Sequence, residues 1–255
     1  MDVVHYGPLT LELETDGDET GYCVTACEKD AVEVEIPLRV GEYKVIAIGE
    51  SAFEDCAELI RVVIPEPEDP MERWDEEWLR EIRAYAFSGC TSLIKVNIPD
   101  TVNTIFQGAF YDCSSLVEVT FDYWTYMYPY AFSGCSSLVS ISELHFASEG
   151  ILRDCTSLAS VTIGESCMEI GEDAFEHCES LRRVVIPASV ERIERLAFRG
   201  CRSLTHVTFA RPNGWYAGNC YTDKQVQLDL SDPERNARRL SGMDFDDGVT
   251  AWYRK

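Results

Sequence analysis

The sequence predicts a β-rich solenoid of about seven short coils, its strands stacked into a curved parallel sheet with short helical or 3-10 turns between them. Three observations predict it. Seven of the 11 cysteines, Cys56, Cys90, Cys113, Cys135, Cys155, Cys178 and Cys201, recur at spacings of 34, 23, 22, 20, 23 and 23 residues. The same apolar positions recur around each of them. No segment carries a long helical pattern. Self-similarity at a period in the twenties marks stacked units, none of which can bury its apolar face alone.

In chain order, residues 1–40 fall outside the repeat. Leu9, Leu11 and Leu13 alternate with polar residues, as do Val32, Val34 and Ile36 with Glu33 and Glu35, and Asp16-Gly17-Asp18 is a turn signal. This reads as a small antiparallel β cap, which a solenoid end needs to stay soluble.

Residues 41–210 hold the coils. Three residues after each cysteine stands a leucine: Leu59, Leu93, Leu116, Leu138, Leu158, Leu181 and Leu204. Six after comes a β-branched residue, from Val62 to Val207, and eight after comes Ile64, Ile98, Phe121, Ile163, Ile186 or Phe209. The fourth coil has Glu143 there, with Leu144 one step late. Ala-Phe precedes the cysteine in six coils, and Ile151-Leu152 replaces it in the fifth. Val-x-Ile is period 2, a short strand with two residues inward. Pro65, Pro99 and Pro187 end such strands, lacking the N–H a ladder needs. The spacings of three and four in A-F-x-x-C-x-x-L suit one or two helical or 3-10 turns. Cysteine, small and apolar with a weak donor, suits the buried bend between turn and strand, so the seven read as a ladder of reduced thiols.

Eleven extra residues lie near 66–78. That stretch holds Glu66, Glu68, Asp69, Glu72, Asp75, Glu76 and Glu77 with one arginine. It reads as a solvated loop or helix start, with Trp74 and Trp78 packed on a flank; a cation site or docking loop is the alternative. Residues 211–255 read as a mixed cap. Pro212-Asn213-Gly214 breaks the pattern, Val226, Leu228 and Leu230 form a strand, and Asp232 to Leu240 form a short helix with Ser231 or Asp232 as N-cap and Pro233 at N1.

The consensus I-P-x-x-V-x-x-I-x-x-x-A-F-x-G-C-x-S-L-x-x-V-x-I-P resembles the BspA-type leucine-rich repeat. The best matches run from Ile98-Pro99 to Val102 and Ile105, and from Ile186-Pro187 through Ala197-Phe198 and Gly200-Cys201 to Leu204. The resemblance covers residues 45–209, and the tail around Leu228 to Pro233 with Trp252-Tyr253 resembles the closing segment of such arrays. It implies a right-handed leucine-rich repeat solenoid. It also implies a bacterial, surface or adhesin-like binding protein, with no catalytic residues to carry over.

Charge narrows the partners. With 22 Lys and Arg against 45 Asp and Glu the net is −23, which argues against nucleic acid and anionic membranes. No apolar run is long enough for membrane insertion. At 45% hydrophobic the chain is not a disordered acidic tail. The first residues show neither a basic n-region nor an apolar h-region. A cytoplasmic location is therefore expected of the chain as written, and a secreted or cell-surface one if a signal was removed.

Nucleotide-binding, metalloprotease and hydrolase signatures are absent, so no enzyme, cofactor or metal is expected. His177 adjoins Cys178, but neighbours in sequence face different ways. Cys23 and Cys27 would share a strand face as loose thiols rather than a disulfide or metal site, and with Cys167 and Cys220 they stay open to disulfide readings. Asp244 to Gly248 hints at calcium but lacks a full loop.

Surface residues remain. The outward strand positions include Arg61, Lys95, Arg183 and His206 flanking the hydroxyls of Thr120 and Thr162. Tyr123, Trp124, Tyr126, Tyr128 and Tyr130 occupy positions that other coils fill with polar residues, and only Met127 takes an inward slot. These residues are the candidate ligand-binding set, with packing beneath Phe106 as the aromatic alternative. The expected function is protein–protein interaction or adhesion; carbohydrate binding through residues 123–130 comes second.

Overall fold

A Val-x-Ile segment is too short to stand alone and becomes a rung only beside its neighbours. In the computed structural model, which describes residues 2–16, 19–66, 78–218, 225–242 and 251–254, the chain is a β-solenoid of about eight turns with very little helix. It divides into two compact units, Met1–Cys135 and Ser136–Lys255.

The first unit contains β1 (Val3–Tyr6), β2 (Leu9–Asp16), β3 (Glu19–Cys27), β4 (Glu33–Glu35), β5 (Arg39–Val40), β6 (Tyr43–Ile48), β7 (Arg61–Val63), β8 (Glu81–Ile82), β9 (Lys95–Asn97), β10 (Thr104–Ile105), β11 (Glu118–Thr120) and β12 (Tyr126–Met127). One sheet runs β1-β2-β3-β6-β8-β10-β12, with β5 beside β6. Its first two pairings are antiparallel, and from β3 onward the path is parallel. A second, parallel sheet runs β4-β7-β9-β11.

The antiparallel N-terminal cap therefore exists as β1 to β3, but the Val32 to Ile36 strand does not belong to it. β4 lies parallel to β7 with Val34 opposite Val62, and the Ile36 N–H donates to the Val63 carbonyl at 2.9 Å. Val34 and Ile36 are the Val-x-Ile pair of an additional first coil, hidden from the repeat count because its turn lacks the Ala-Phe pair.

The second unit contains β13 (Ser140–Ile141), β14 (Glu169–Ile170), β15 (Arg183–Ile186), β16 (Arg192–Ile193), β17 (His206–Phe209), β18 (Trp215–Gly218), β19 (Gln225–Gln227), α1 (Pro233–Leu240) and β20 (Ala251–Arg254). β15 pairs with β17, and β14 with β16, in parallel. The irregular coil still stacks, through parallel bridges Leu144–Ile163 and Ala147–Ile170, so Leu144 takes the slot that Glu143 cannot. Antiparallel β20, β18 and β19 close this end beside β16. Helix α1 starts where expected: Asp232 caps it by accepting from the Glu234 and Arg235 amides at 3.0 and 3.1 Å, with Pro233 beginning the first turn. Its fully buried Asn236 donates to the Val207 and Leu230 carbonyls.

The A-F-x-x-C segment forms successive i→i+3 turns, not a helix, and the backbone says why. The residue five before each ladder cysteine is left-handed: Ser51, Tyr85, Gly108, Tyr130, Gly150, Asp173 and Leu196. So is the residue just before it: Asp55, Gly89, Asp112, Gly134, Asp154, His177 and Gly200. Such a conformation costs a non-glycine residue about 1–2 kcal/mol. It aims alternate amides at the neighbouring coil. Tyr85, Phe87 and Gly89 donate to the carbonyls of Gln107, Ala109 and Tyr111 at 3.0, 2.7 and 2.8 Å; Asp173, Phe175 and His177 donate to Arg195, Ala197 and Arg199 at 3.1, 2.7 and 2.7 Å. At Gly134 a Cβ would run into Asp112 Oδ1, so the aspartate of one coil leans over a glycine of the next.

Two side-chain columns line the turn. Phe53, Phe87, Phe110 and Phe132 stack with ring centroids 4.6 to 5.1 Å apart, as do Phe175 and Phe198 at 5.0 Å. All are fully buried. The cysteines follow. Cys90, Cys113 and Cys135 donate their thiols to the Phe53, Phe87 and Phe110 carbonyls at 3.1 to 3.2 Å; Cys178 and Cys201 donate to Leu152 and Phe175. Each of these carbonyls also accepts a backbone amide of its own turn, so the thiol is its second donor, a bond between coils that valine could not make.

Two outcomes follow from these columns. Phe110→Ala opens a cavity inside the stack and is expected to cost about 3–5 kcal/mol in urea unfolding. Burial pushes Cys90 and Cys201 up to about 12 and Cys113 and Cys178 well above the ordinary thiol value. These thiols stay protonated when folded and ionise near pH 9 when unfolded, so their contribution is complete below pH 9 and lost as pH rises toward 12. With reductant present, the unfolding free energy from urea titrations at pH 8 and pH 10 should fall by about 1.4 kcal/mol per such thiol per unit above pH 9.

Candidate binding surface

The strands that build the core also set what faces out. Arg61, Lys95 and Arg183 are exposed, His206 is half-buried, and Thr120 and Thr162 stand on the outward face. Arg61 and Arg183 have no ion-pair partner among the described residues. Lys95 pairs with Glu118 on the next rung at 2.9 Å, and His206 Nδ1 lies 3.0 Å from Thr205 Oγ1. Of these, Arg61, Lys95 and Thr120 fall in the first unit and Thr162, Arg183 and His206 in the second.

The aromatic segment is in the first unit. Trp124 is 76% exposed, and Tyr123, Tyr126 and Tyr128 are exposed too, while Met127 is 1% exposed and fills the inward slot. Thr125 turns inward and donates to the Val102 carbonyl at 3.0 Å, which swings its neighbours out. Tyr123 meets Trp124 edge-on at 4.7 Å, and Tyr126 meets Tyr128 edge-on at 5.1 Å. Tyr128 stacks on Phe106 at 5.0 Å and 6°, so both readings of the segment hold: aromatics on the surface, one of them packed on Phe106. Tyr130 is apart from the cluster. It is half-buried at a left-handed turn position.

Sequence reasoning missed an aliphatic column, four residues past the ladder cysteines and continued by Val32 in the first coil. Val32, Ile60, Ile94 and Val117 are 39–49% exposed. Their amides and carbonyls tie coil to coil, Ile60 to Val32, Ile94 to Ile60 and Val117 to Ile94. Period-2 alternation with the inward valine places this position inside. It is outside because the chain is still leaving the turn there. Between Ile60, Ile94, Arg61, Lys95 and Asn97 lies a depression of about 380 Å3. The signal was the repeated aliphatic residue itself.

Charge also runs in columns. In the second unit Arg153 bridges Asp154, Asp173 and Glu176 at 3.4, 2.9 and 3.2 Å, and Arg199 reaches Glu176 at 3.5 Å. Burial raises the Asp173 carboxyl, with Glu176 adding to it and Arg153 opposing. His177 joins this cluster through Asp154 Oδ1 at 2.9 Å, while the Cys178 thiol points inward to Leu152, so no Cys–His dyad forms.

Cys23 and Cys27 are buried free thiols with separate partners: Arg83 Nη1 lies 3.6 Å from Cys23, and the Cys27 thiol donates to the Glu28 carbonyl at 3.5 Å. Cys167 is also buried and free. Trp78 is buried under Lys44 and Arg39, whose cations lie 4.6 and 5.2 Å from its ring. Residues 67–77 with Trp74, the Asp244 to Gly248 run and Cys220 lie outside the described residues. Among the described residues no three His, Cys, Asp or Glu side chains come together as a metal site. No helix among them is long and apolar enough to cross a membrane.

The family described as BspA type leucine rich repeat region matches the chain in six copies, over residues 48–148 and 148–219. No curated protein matches it. Among solved structures, it is similar to the leucine rich repeat protein of T. pallidum, with a TM-score of 0.51 at 20% identity over 76% of this chain and 87% of that one. It is also similar to a leucine rich cell surface protein of Faecalibacterium prausnitzii, with a TM-score of 0.54 at 22% identity over 91% of this chain. It spans 62% of that protein's length. At these identities the likeness is one of fold.

The exposures separate surface from core energetically. Trp124→Ala should change stability by no more than about 0.5 kcal/mol, whereas Met127→Ala, three residues on, should cost about 2–5 kcal/mol in the same urea titration.

Proposed function

Because the chain belongs to the BspA-type leucine-rich repeat family, whose repeats commonly serve as protein-binding scaffolds, we propose that it is a non-enzymatic module that binds a protein ligand through its outward-facing surface. The observation that carries this reading is the exposed aromatic segment. A soluble protein gains nothing in stability from a tryptophan left three-quarters in water, and Trp and Tyr at such positions are the residue types that dominate interface energies. Arg61 and Thr120 in the first unit, and Thr162 and Arg183 in the second, supply polar contacts around such anchors. Adhesion to another cell or to a host protein is the finer form of this proposal.

The perpendicular, exposed rings of Tyr123 and Trp124 favour one second reading, carbohydrate binding, in which a sugar ring stacks on the indole face.

Purified chain probed against arrays of immobilised proteins and glycans separates the two. Capture of a protein supports the first reading, and capture confined to glycans replaces it with the second. The paired change Trp124→Ala and Tyr126→Ala should weaken capture at least tenfold, about 1.4 kcal/mol, with the melting temperature unchanged. Undiminished capture would remove the aromatic segment from the binding surface.

A further inference from the structure

The second sheet of the first unit has one weak seam. β4 and β7 are in register from Glu33–Arg61 to Glu35–Val63, and β9 and β11 from Lys95–Glu118 to Asn97–Thr120. Between β7 and β9 the register among the described residues is a single pair, Arg61–Lys95. Beyond it the strands part, and the Asn97 side-chain amide, rather than a backbone pair, joins β9 to the Ile64 carbonyl at 3.2 Å. The seam falls in the lengthened coil, whose cysteines Cys56 and Cys90 stand 34 residues apart. It is also the place of the depression of about 380 Å3 that Ile60, Arg61, Val63, Ile94, Lys95 and Asn97 line.

Two features of this lining point to a ligand. Ile60 and Ile94 are 41% and 49% exposed on adjacent rungs, tied by the Ile94 amide donating to the Ile60 carbonyl at 3.1 Å, so they form one apolar step open to water. Covering such a step is favourable by about 25 cal/mol per Å2. The charges of the lining are the second feature. On a chain of net −23 they are Arg61 and Lys95, with no carboxylate between them. Glu118 holds Lys95 at 2.9 Å. Arg61 is exposed, and although Glu33 is in register with it, no ion pair engages its guanidinium among the described residues. The fork of a guanidinium takes a carboxylate through two parallel hydrogen bonds.

The geometry points to a docking site for a short acidic segment of a protein ligand, with an Asp or Glu carboxylate on Arg61 and a neighbouring aliphatic side chain on the Ile60–Ile94 step. This rests on the reading of the chain as a protein-binding module and gives that module a second surface. The depression belongs to the sheet of β4, β7, β9 and β11, whereas the aromatic segment runs through β12 of the other sheet. A basic segment would oppose the guanidinium, and a wholly polar one would leave the step in water. Selection is therefore for charge and apolar contact together.

The test is fluorescence anisotropy of the full chain with labelled nonapeptides: Gly-Ser-Leu-Asp-Leu-Asp-Leu-Ser-Gly, the same peptide with Lys for each Asp, and the same with Ser for each Leu. The Asp–Leu peptide should bind at least about tenfold more tightly than either of the others, and added salt should weaken it. Arg61→Glu should reverse the preference toward the Lys peptide, a gain that an unfolded variant could not show. Ile94→Ser, with an unchanged circular dichroism spectrum, should weaken the Asp–Leu peptide, and the paired change at Trp124 and Tyr126 should leave it as it was. Equal binding of the peptides, or an unaltered preference in Arg61→Glu, would overturn the site. Loss of binding with Trp124 and Tyr126 would move it to the aromatic segment. Dimerisation with rising concentration that Arg61→Glu abolishes would give the depression to a second copy of the chain instead. Binding by none of the peptides would remove the depression as a docking site, while the aromatic segment would still stand or fall by its own capture assay.

Discussion

Everything in this protein hangs on the hydrogen bonds that run from one turn to the next. In the turns that begin at Ser51, Tyr85, Gly108, Gly150 and Asp173, three amides point along the stacking direction because two residues of each turn are left-handed. Once those amides are spoken for, the phenylalanines must stack at about the same pitch, and the thiols fall beneath the carbonyls they serve. From β7 onward the strands that pair coil to coil are only two to four residues long. They contribute the sheet but could not set the register alone. Left-handed strain in each turn is offset by bonds that exist only between turns, so no coil is stable by itself, as expected of a one-dimensional stack.

That arrangement explains why the surface is ruled in columns. Any outward position repeats at the pitch of the stack, so neighbouring side chains meet in rows. Lys95 meets Glu118, Glu176 meets Arg153 and Arg199, and Ile60 meets Ile94. Rows of opposite charge contribute modestly because they are partly solvated.

The fold was legible because its rules recur. A cysteine, a leucine three on and a β-branched residue six on, repeated seven times, leave little freedom, and even the displaced Leu144 landed where its one-residue delay placed it. The extra first coil was not legible. Val34 and Ile36 carry the strand, but no Ala-Phe precedes Cys27, so nothing tied that cysteine to the ladder. The left-handed positions were hidden for a different reason. They accept Ser, Tyr, Leu, Asp and His as well as Gly, because the bonds between coils override local preference. The aromatic surface was legible from position alone, since only Met127 had an inward slot. The aliphatic column was not, because alternation assigned it to the wrong side of the chain.

The Phe column has a further consequence for size. In the first unit the coils of Phe53, Phe87, Phe110 and Phe132 meet through the same ring, the same thiol and the same three amides. A whole coil could be gained or lost by duplication or deletion in the gene while both flanking junctions stay as they were. Copy number is then decoupled from foldability, and the area on offer to a ligand becomes a quantity that recombination can adjust in steps of about 23 residues without redesigning a single contact.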